Sequence, residues 1–192
     1  IKETDRLNVI LSDFLNYSQP KKNNNTIIDL TQLIQDVIIL LKNKEDISSK
    51  KQIVFEGTTD HLILNGDEEQ IKQVVWNLCI NALEAMSRGT LTLTLKEVFS
   101  FQSGEFQANH RGMVLEVQDE GCGIALDQIS NIYDPFYSSK KNGVGLGLAT
   151  VYQIVNRNKG VMDVKSTVGK GTLFTVFLPD QDSVKPVPMP SH

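Results

Sequence analysis

The residues able to do chemistry in this sequence fall into a few short, evenly spaced groups. Asn77 and Asn81 belong to a strip of Gln70, Gln73, Asn77, Asn81 and Glu84, spaced 3, 4, 4 and 3. On a helix that spacing is one face, so the two carboxamides stand one turn apart and would look into a polar cavity or a ligand. An amphipathic helix with a solvated stripe produces the same strip. Asp119 is followed by Gly121 and Gly123, a carboxylate at a tight turn where backbone can approach a ligand closely. A carboxylate that merely caps the next turn is the plainer alternative. Gly143, Gly145 and Gly147 alternate just before an apolar-periodic run, leaving N–H groups open at a helix N-terminus, which suits phosphate. Lys140 and Lys141 bring positive charge beside them.

Each group needs an element to hold it. Gln73–Met86 reads as a helix, apolar over most of its circumference and therefore buried, with Asp67 and Gln70 resembling a capping box at its start. Met113–Asp119 alternates as a strand, and its parity turns Asp119 toward the apolar side with Met113, Leu115 and Val117. A carboxylate aimed inward needs hydrogen-bond donors, because burial without them is costly. Leu126–Ile132 forms a helical turn, and Tyr133–Asn142 is a long loop of the kind that serves as an active-site lid. The glycine string runs into a helix over Ala149–Arg157. Val161–Ser166 and Thr172–Leu178 form a hairpin across Gly169-Lys170-Gly171, with Thr172, Phe174, Val176 and Leu178 on one face.

The remaining segments frame this core. Ile1–Tyr17 carries Leu7, Ile10, Phe14 and Tyr17 at steps of 3, 4 and 3, the seam of a bundle or dimer helix, or of one docked on its own domain. It stops before Ser18-Gln19-Pro20, and Lys21–Thr26 is a polar linker. Asp29 caps a helix whose core face is Leu30, Leu33, Ile34, Val37, Ile38 and Leu41. Ile53–Glu56 and Leu62–Leu64 read as a strand pair, Thr90–Val98 as a strand, and Ser100–Arg111 as a polar loop. Ser183–His192, with three prolines, is a loose tail.

Composition narrows the class. The chain of 192 residues suits one domain plus an appendage, and 19 Lys+Arg against 23 Asp+Glu, without a basic run, argues against nucleic acid. No apolar run reaches membrane-spanning length. Cys79 and Cys122 have no metal-ligand spacing, which fits a reduced, cytoplasmic protein. His61, His110 and His192 lie in turn-like or terminal contexts without ligand partners. The first residue is Ile, so the chain is expected to be a fragment, with any membrane attachment in segments outside it.

Taken together and in order, Asn77…Asn81, Asp119-x-Gly121-x-Gly123, Asp134-Pro135-Phe136, Gly143-x-Gly145-x-Gly147 and Gly171-Thr172 closely resemble the N, G1, F and G2 boxes of sensor histidine kinases. Those kinases sit within the gyrase/chaperone/kinase/mismatch-repair ATPase superfamily, and the resemblance covers about Asp29 to Pro179. It implies an α/β (α+β) two-layer sandwich, with helices on one face of a mixed, mostly antiparallel sheet. The expected division is a partial bundle helix over 1–19, a linker over 20–28, the ATP-binding domain over 29–180 and a tail over 181–192.

The resemblance also implies roles. Asp119, helped by Thr172, would accept a hydrogen bond from the adenine amino group, and Asn81 would hold Mg²⁺ against the phosphates of ATP, with Asn77 lining the same site. Gly121 and Gly123 would admit base and ribose, with Ile124 beside them. Phe136 and Lys140 would belong to the lid, Lys140 near the phosphates and counted with Asn77 and Asn81 as catalytic. Gly143, Val144, Gly145 and Gly147 would wrap the phosphates, with Leu146 and Leu148 packing the loop down. The gyrase, chaperone and mismatch-repair branches place a water-activating glutamate where this chain has Asn77, so transfer to another acceptor is favoured over hydrolysis. The implied partners are a phosphoacceptor bundle domain, a response regulator and a second copy in a homodimer. No histidine here matches the acceptor context, so the chain alone should bind Mg·ATP without autophosphorylating. A hydrolase, a non-catalytic nucleotide-binding module and a protein-serine kinase are the competing readings. Tyr137 and Val144 depart from the family's usual Phe and Thr.

Overall fold

The computed structural model describes residues 24–44, 50–57, 61–104, 106–138 and 143–180. The expected bundle helix over 1–19, the tail over 181–192 and Lys140 lie outside them. The described chain opens with strand β1 (Asn25–Asp29), which runs directly into helix α1 (Leu30–Lys42). Asp29 caps that helix, its Oδ1 accepting the Gln32 N–H at 3.1 Å, and the face carrying Leu33, Ile34, Val37 and Leu41 is buried. Next come β2 (Lys51–Gly57), β3 (Ile63–Asp67), helix α2 (Glu68–Ala85) and β4 (Gly89–Val98). A small hairpin of β5 (Phe101–Ser103) and β6 (Phe106–Ala108) precedes β7 (Gly112–Asp119). Helix α3 (Gly147–Arg157) and the hairpin β8 (Val161–Thr167)–β9 (Gly171–Pro179) complete it.

Five strands form one sheet in the order β2-β4-β7-β9-β8, parallel only between β2 and β4. The alternating side chains Leu91, Leu93 and Leu95 of β4, Met113, Leu115 and Val117 of β7, and Phe174, Val176 and Leu178 of β9 share one buried core with all three helices. The architecture is therefore the two-layer α/β sandwich that the sequence implied, with a mixed, mostly antiparallel sheet. Among the described residues no helix is long and apolar enough to cross a membrane.

Three expectations change. Ile53–Glu56 lies in β2 and Ile63 and Leu64 in β3, but the two strands do not pair. The first runs parallel to β4, setting Ile53 beside Leu91 and Phe55 beside Leu93, whereas Leu64 pairs with Ile28 of β1. Both arrangements bring apolar residues together against the core, which a local hairpin would not achieve for both. Second, residues 25–28, assigned to the linker, are strand β1, so the domain begins before Asp29. Third, the polar loop over Ser100–Arg111 contains the β5–β6 hairpin. Phe101 stacks on Phe177 at 4.9 Å and, with Ala108, Val98 and Val114, covers Phe177 on the sheet face away from the helices.

Candidate functional site

Helix α2 is fixed at both ends by other elements. At its start, Asp67 Oδ1 accepts the Gln70 N–H and Oδ2 accepts Gln70 Nε2, both at 3.0 Å, while Gln70 Oε1 accepts from Asn158 Nδ2 at 3.3 Å. Gln70, placed by its spacing on the ligand-facing strip, is thus 4% exposed and ties the start of α2 to the end of α3. At the other end, Leu83 O accepts from Lys51 Nζ at 2.8 Å and Ala85 O from Cys122 N at 3.1 Å. Terminal carbonyls that the helix cannot satisfy itself are taken up by β2 and by the turn after Asp119.

Between those ends, half-buried Asn77 and Asn81 meet the N-terminus of α3. Asn77 Nδ2 donates to Gly147 O at 3.3 Å, and a Cβ on Gly147 would stand 3.4 Å from Asn81 Nδ2. Leu146 is buried and Leu148 packs partly buried against the core, so both anchor the glycine string. Gly143 is exposed and Val144 half-buried. The string is also laced to the preceding loop, where Phe136 N donates to Gly145 O at 3.0 Å. Gly145 has φ +75° and a Cβ there would lie 2.5 Å from Tyr137 O, so only glycine fits. Phe136 itself is 61% exposed at φ +68°.

A second cluster forms at the end of the sheet. Register makes Asp119 of β7 and Thr172 of β9 direct cross-strand neighbours. Asp119 is 3% exposed; its Oδ1 accepts from Gly121 N at 2.7 Å and Thr172 N at 3.3 Å. Among the described residues Oδ2 has no protein donor. Burial pushes the carboxyl pKa above its ordinary value, and the two N–H groups only partly oppose that. The resemblance has Gly121 and Gly123 admitting base and ribose, yet the space a Cβ would take at each is filled by protein. At Gly121 it would meet Ala85 O at 2.8 Å, and at Gly123 Thr167 O at 2.2 Å. These glycines let the turn dock on the last turn of α2, one turn beyond Asn81, and on the β8–β9 connection.

Ser166 was missed by sequence reasoning. Its Oγ lies 2.8 Å from Ile124 N, 3.0 Å from Gly171 O and 2.9 Å from Thr172 Oγ1, joining the glycine turn to β9. The signal was the β8–β9 register, which sets Ser166 opposite Thr172. A groove of about 380 Å³ opens here, lined by Asp119, Leu126, Ile129, Ser166, Lys170 and Thr172 among others. Its volume is in the range of small-molecule sites. Asn77, Asn81 and the glycine string do not line it; Asn81 and Asn77 stand one and two helical turns before Ala85, where the turn docks on α2.

The arrangement can bind an extended ligand in two places. One is a carboxylate oxygen free to take a further donor, and the other a helix N-terminus with carboxamides beside it, suited to an anion. Among the described residues no group of three His, Cys, Asp or Glu could hold a metal, so a hard cation here would need oxygens from its ligand.

The family model described as "Histidine kinase-, DNA gyrase B-, and HSP90-like ATPase" matches residues 66–182. The chain is 30% identical over 180 residues to the signal transduction histidine-protein kinase AtoS of Escherichia coli (strain K12), covering 93% of this chain and 28% of AtoS. It is 34% identical over 180 residues to the sensor histidine kinase ZraS of Salmonella typhi, covering 93% of this chain and 36% of ZraS. It therefore spans little more than a third of either relative's length at most. Among solved structures, full-length ShkA in complex with AMPPNP matches with a TM-score of 0.77 at 21% identity, over 98% of this chain and 38% of that one, a likeness of fold.

Proposed function

The chain belongs to the family of histidine kinase-, DNA gyrase B- and HSP90-like ATPases, and from that premise we propose that it is the ATP-binding catalytic part of a two-component sensor histidine kinase. It would pass the γ-phosphoryl group of ATP to a histidine on a bundle domain, for relay to an aspartate of a response regulator. The observation that carries this reading is the meeting of Asn77 and Asn81 with Gly147 at the N-terminus of α3.

The residues fit ATP with Mg²⁺. Asp119 Oδ2, the one oxygen of this largely buried residue without a protein donor among the described residues, suits the exocyclic amine of adenine. The amide end of α3 suits phosphate. Asn81 would supply one oxygen to Mg²⁺, the rest coming from phosphate and water, which matches how that ion is commonly bound with nucleotides. Bound Mg²⁺ neutralises charge on the phosphate oxygens. The chain's own contribution is positioning: α3 presents N–H groups, Asn77 fixes the first carbonyl of that helix, and Asp119 orients the base. Asn77 has no useful basicity, so water is not activated there, and a hydrolase is not favoured.

The setting that the family resemblance implies is a cytoplasmic, homodimeric kinase whose acceptor bundle is joined to this domain; the names of AtoS and ZraS support the histidine kinase activity alone. The test gives γ-labelled ATP and Mg²⁺ to this chain and to a version extended at its N-terminus by a histidine-bearing bundle helix. Acid-labile, base-stable label on the extended protein alone is expected. Free phosphate from both, without protein label, would overturn the kinase reading.

A further inference from the structure

We propose that Ser166 is a specificity-determining positioning residue, which sets the hydrogen-bond polarity of the Thr172 hydroxyl and so makes the base-recognising end of the site accept only. The inference rests on the nucleotide reading above and concerns a residue that does not itself complete the Asp119 contact.

The polarity follows from counting protons. A serine hydroxyl has one hydrogen to give and two lone pairs to receive with. Ser166 Oγ has three neighbours at hydrogen-bond distance: Ile124 N at 2.8 Å, Gly171 O at 3.0 Å and Thr172 Oγ1 at 2.9 Å. The Ile124 amide can only donate and the Gly171 carbonyl can only accept. If the serine proton turned to Thr172, two oxygens bearing only lone pairs would face each other at 3.0 Å across Ser166 and Gly171. One assignment satisfies all three contacts: Ser166 donates to Gly171 O and receives from both Ile124 N–H and Thr172 O–H.

Thr172 has thereby given its only side-chain proton to Ser166, and its remaining lone pairs are the only hydrogen-bonding capacity left on Oγ1. Beside it, across the β7–β9 pair, Asp119 has both Oδ1 contacts filled and Oδ2 left as a further acceptor. Both residues, with Ser166, belong to the lining of the same groove. A ligand group placed against them must offer hydrogens, as the 6-amino group of a purine does. A 6-oxo group in its place sets an acceptor against acceptors. Without Ser166, the Thr172 proton is released and can turn to that oxygen.

The experiment measures Kd for ADP and for IDP, with Mg²⁺, by calorimetry on the wild-type chain and on Ser166→Ala, Ser166→Thr and Thr172→Val. Wild type should prefer ADP. Ser166→Ala should shrink the ADP-over-IDP preference by about tenfold, the scale of one buried hydrogen bond gained or lost. Ser166→Thr, which keeps the hydroxyl, should restore the wild-type ratio. A structural role alone would weaken both nucleotides together and leave the ratio unchanged, which would overturn the proposal. If Ser166→Ala does not fold, Thr172→Val gives the same test, since removing the acceptor should narrow the ratio; an unchanged or wider ratio overturns it. Wild-type chain that binds neither nucleotide would overturn the nucleotide reading itself, whereas normal ADP binding with a fixed ratio would sink the role of Ser166 alone.

Discussion

Replacing Asp119 with asparagine should separate binding from folding. Asp119 Oδ1 already takes both backbone donors, from Gly121 at 2.7 Å and Thr172 at 3.3 Å, and an amide oxygen can take the same two. The change falls on the other atom: Oδ2, a charged acceptor, becomes an NH₂ donor. Facing an adenine amine, that exchanges a charge-assisted hydrogen bond for two opposed donors. The loss is about 1.5–3 kcal/mol, or roughly ten- to a hundredfold in Kd for ADP. Stability should move the other way. Burial raises the folded-state pKa of Asp119 above its ordinary 3.8, so the fold binds the proton more tightly than the unfolded chain does. The stability this lends is fully present below the unfolded pKa and is lost as pH rises through the folded one. At neutral pH the ionised group therefore costs stability, and Asp119→Asn removes that cost. The assay pairs calorimetric ADP titration with thermal denaturation at pH 4 and pH 7. Weaker binding is expected, with a Tm at pH 7 equal to or above wild type and a smaller gain at pH 4. Unaltered ADP affinity, or a lower Tm at pH 7, would refute the reasoning.

Other perturbations probe the frame. Leu78, fully buried in the middle of α2, should cost about 2–5 kcal/mol on truncation to alanine, read as a fall in denaturant midpoint with little change in slope. Gly171→Ala and Gly169→Ala both place a side chain at positive φ, yet they should differ sharply. A Cβ at Gly171 would lie 1.9 Å from Asp119 O, whereas nothing stands within 4 Å of one at Gly169. Chemical denaturation should show more than about 3 kcal/mol lost for the first and about 1 for the second. Cys79 is buried, which pushes its thiol pKa up to about 12, while Cys122 is exposed. Ellman's reagent should therefore count one reactive thiol per native chain and two after denaturation.

How much of this was legible beforehand depended on how local each feature was. Helix α2, its cap at Asp67 and the inward turn of Asp119 follow from periodicity and parity, which short stretches display by themselves. The pairing of β2 with β4 and of β1 with β3 does not, because it is decided by which apolar face reaches the core across a long sequence separation. Residues 25–28 looked like linker because they continue a polar run from Lys21 through Thr26 and are too few to show an alternation; Ile28 is the one fully buried residue of β1. Gln70 shows how a helical strip can mislead: it shares a face with Asn77 and Asn81, but it lies at the helix start, where Asp67 and Asn158 claim it. Ser166 became visible only with the hairpin register, because a serine at a strand's end has no pattern of its own.

The same difference between spacing and contact bears on Asn77. Spacing puts it one turn before Asn81, where hydrolytic relatives are implied to carry glutamate. The structure adds what the amide does there: Nδ2 donates to Gly147 O, the first carbonyl of α3. A carboxylate has no proton to donate and would set two acceptors against each other at 3.3 Å. Position 77 therefore calls for a donor in this packing, not a base. The contact that binds α2 to the N-terminal end of α3 is thus incompatible with an ionised glutamate unless α3 moves. The reading proposed above, transfer in preference to hydrolysis, thus has a counterpart in the packing of the two helices, which calls for a hydrogen-bond donor at position 77.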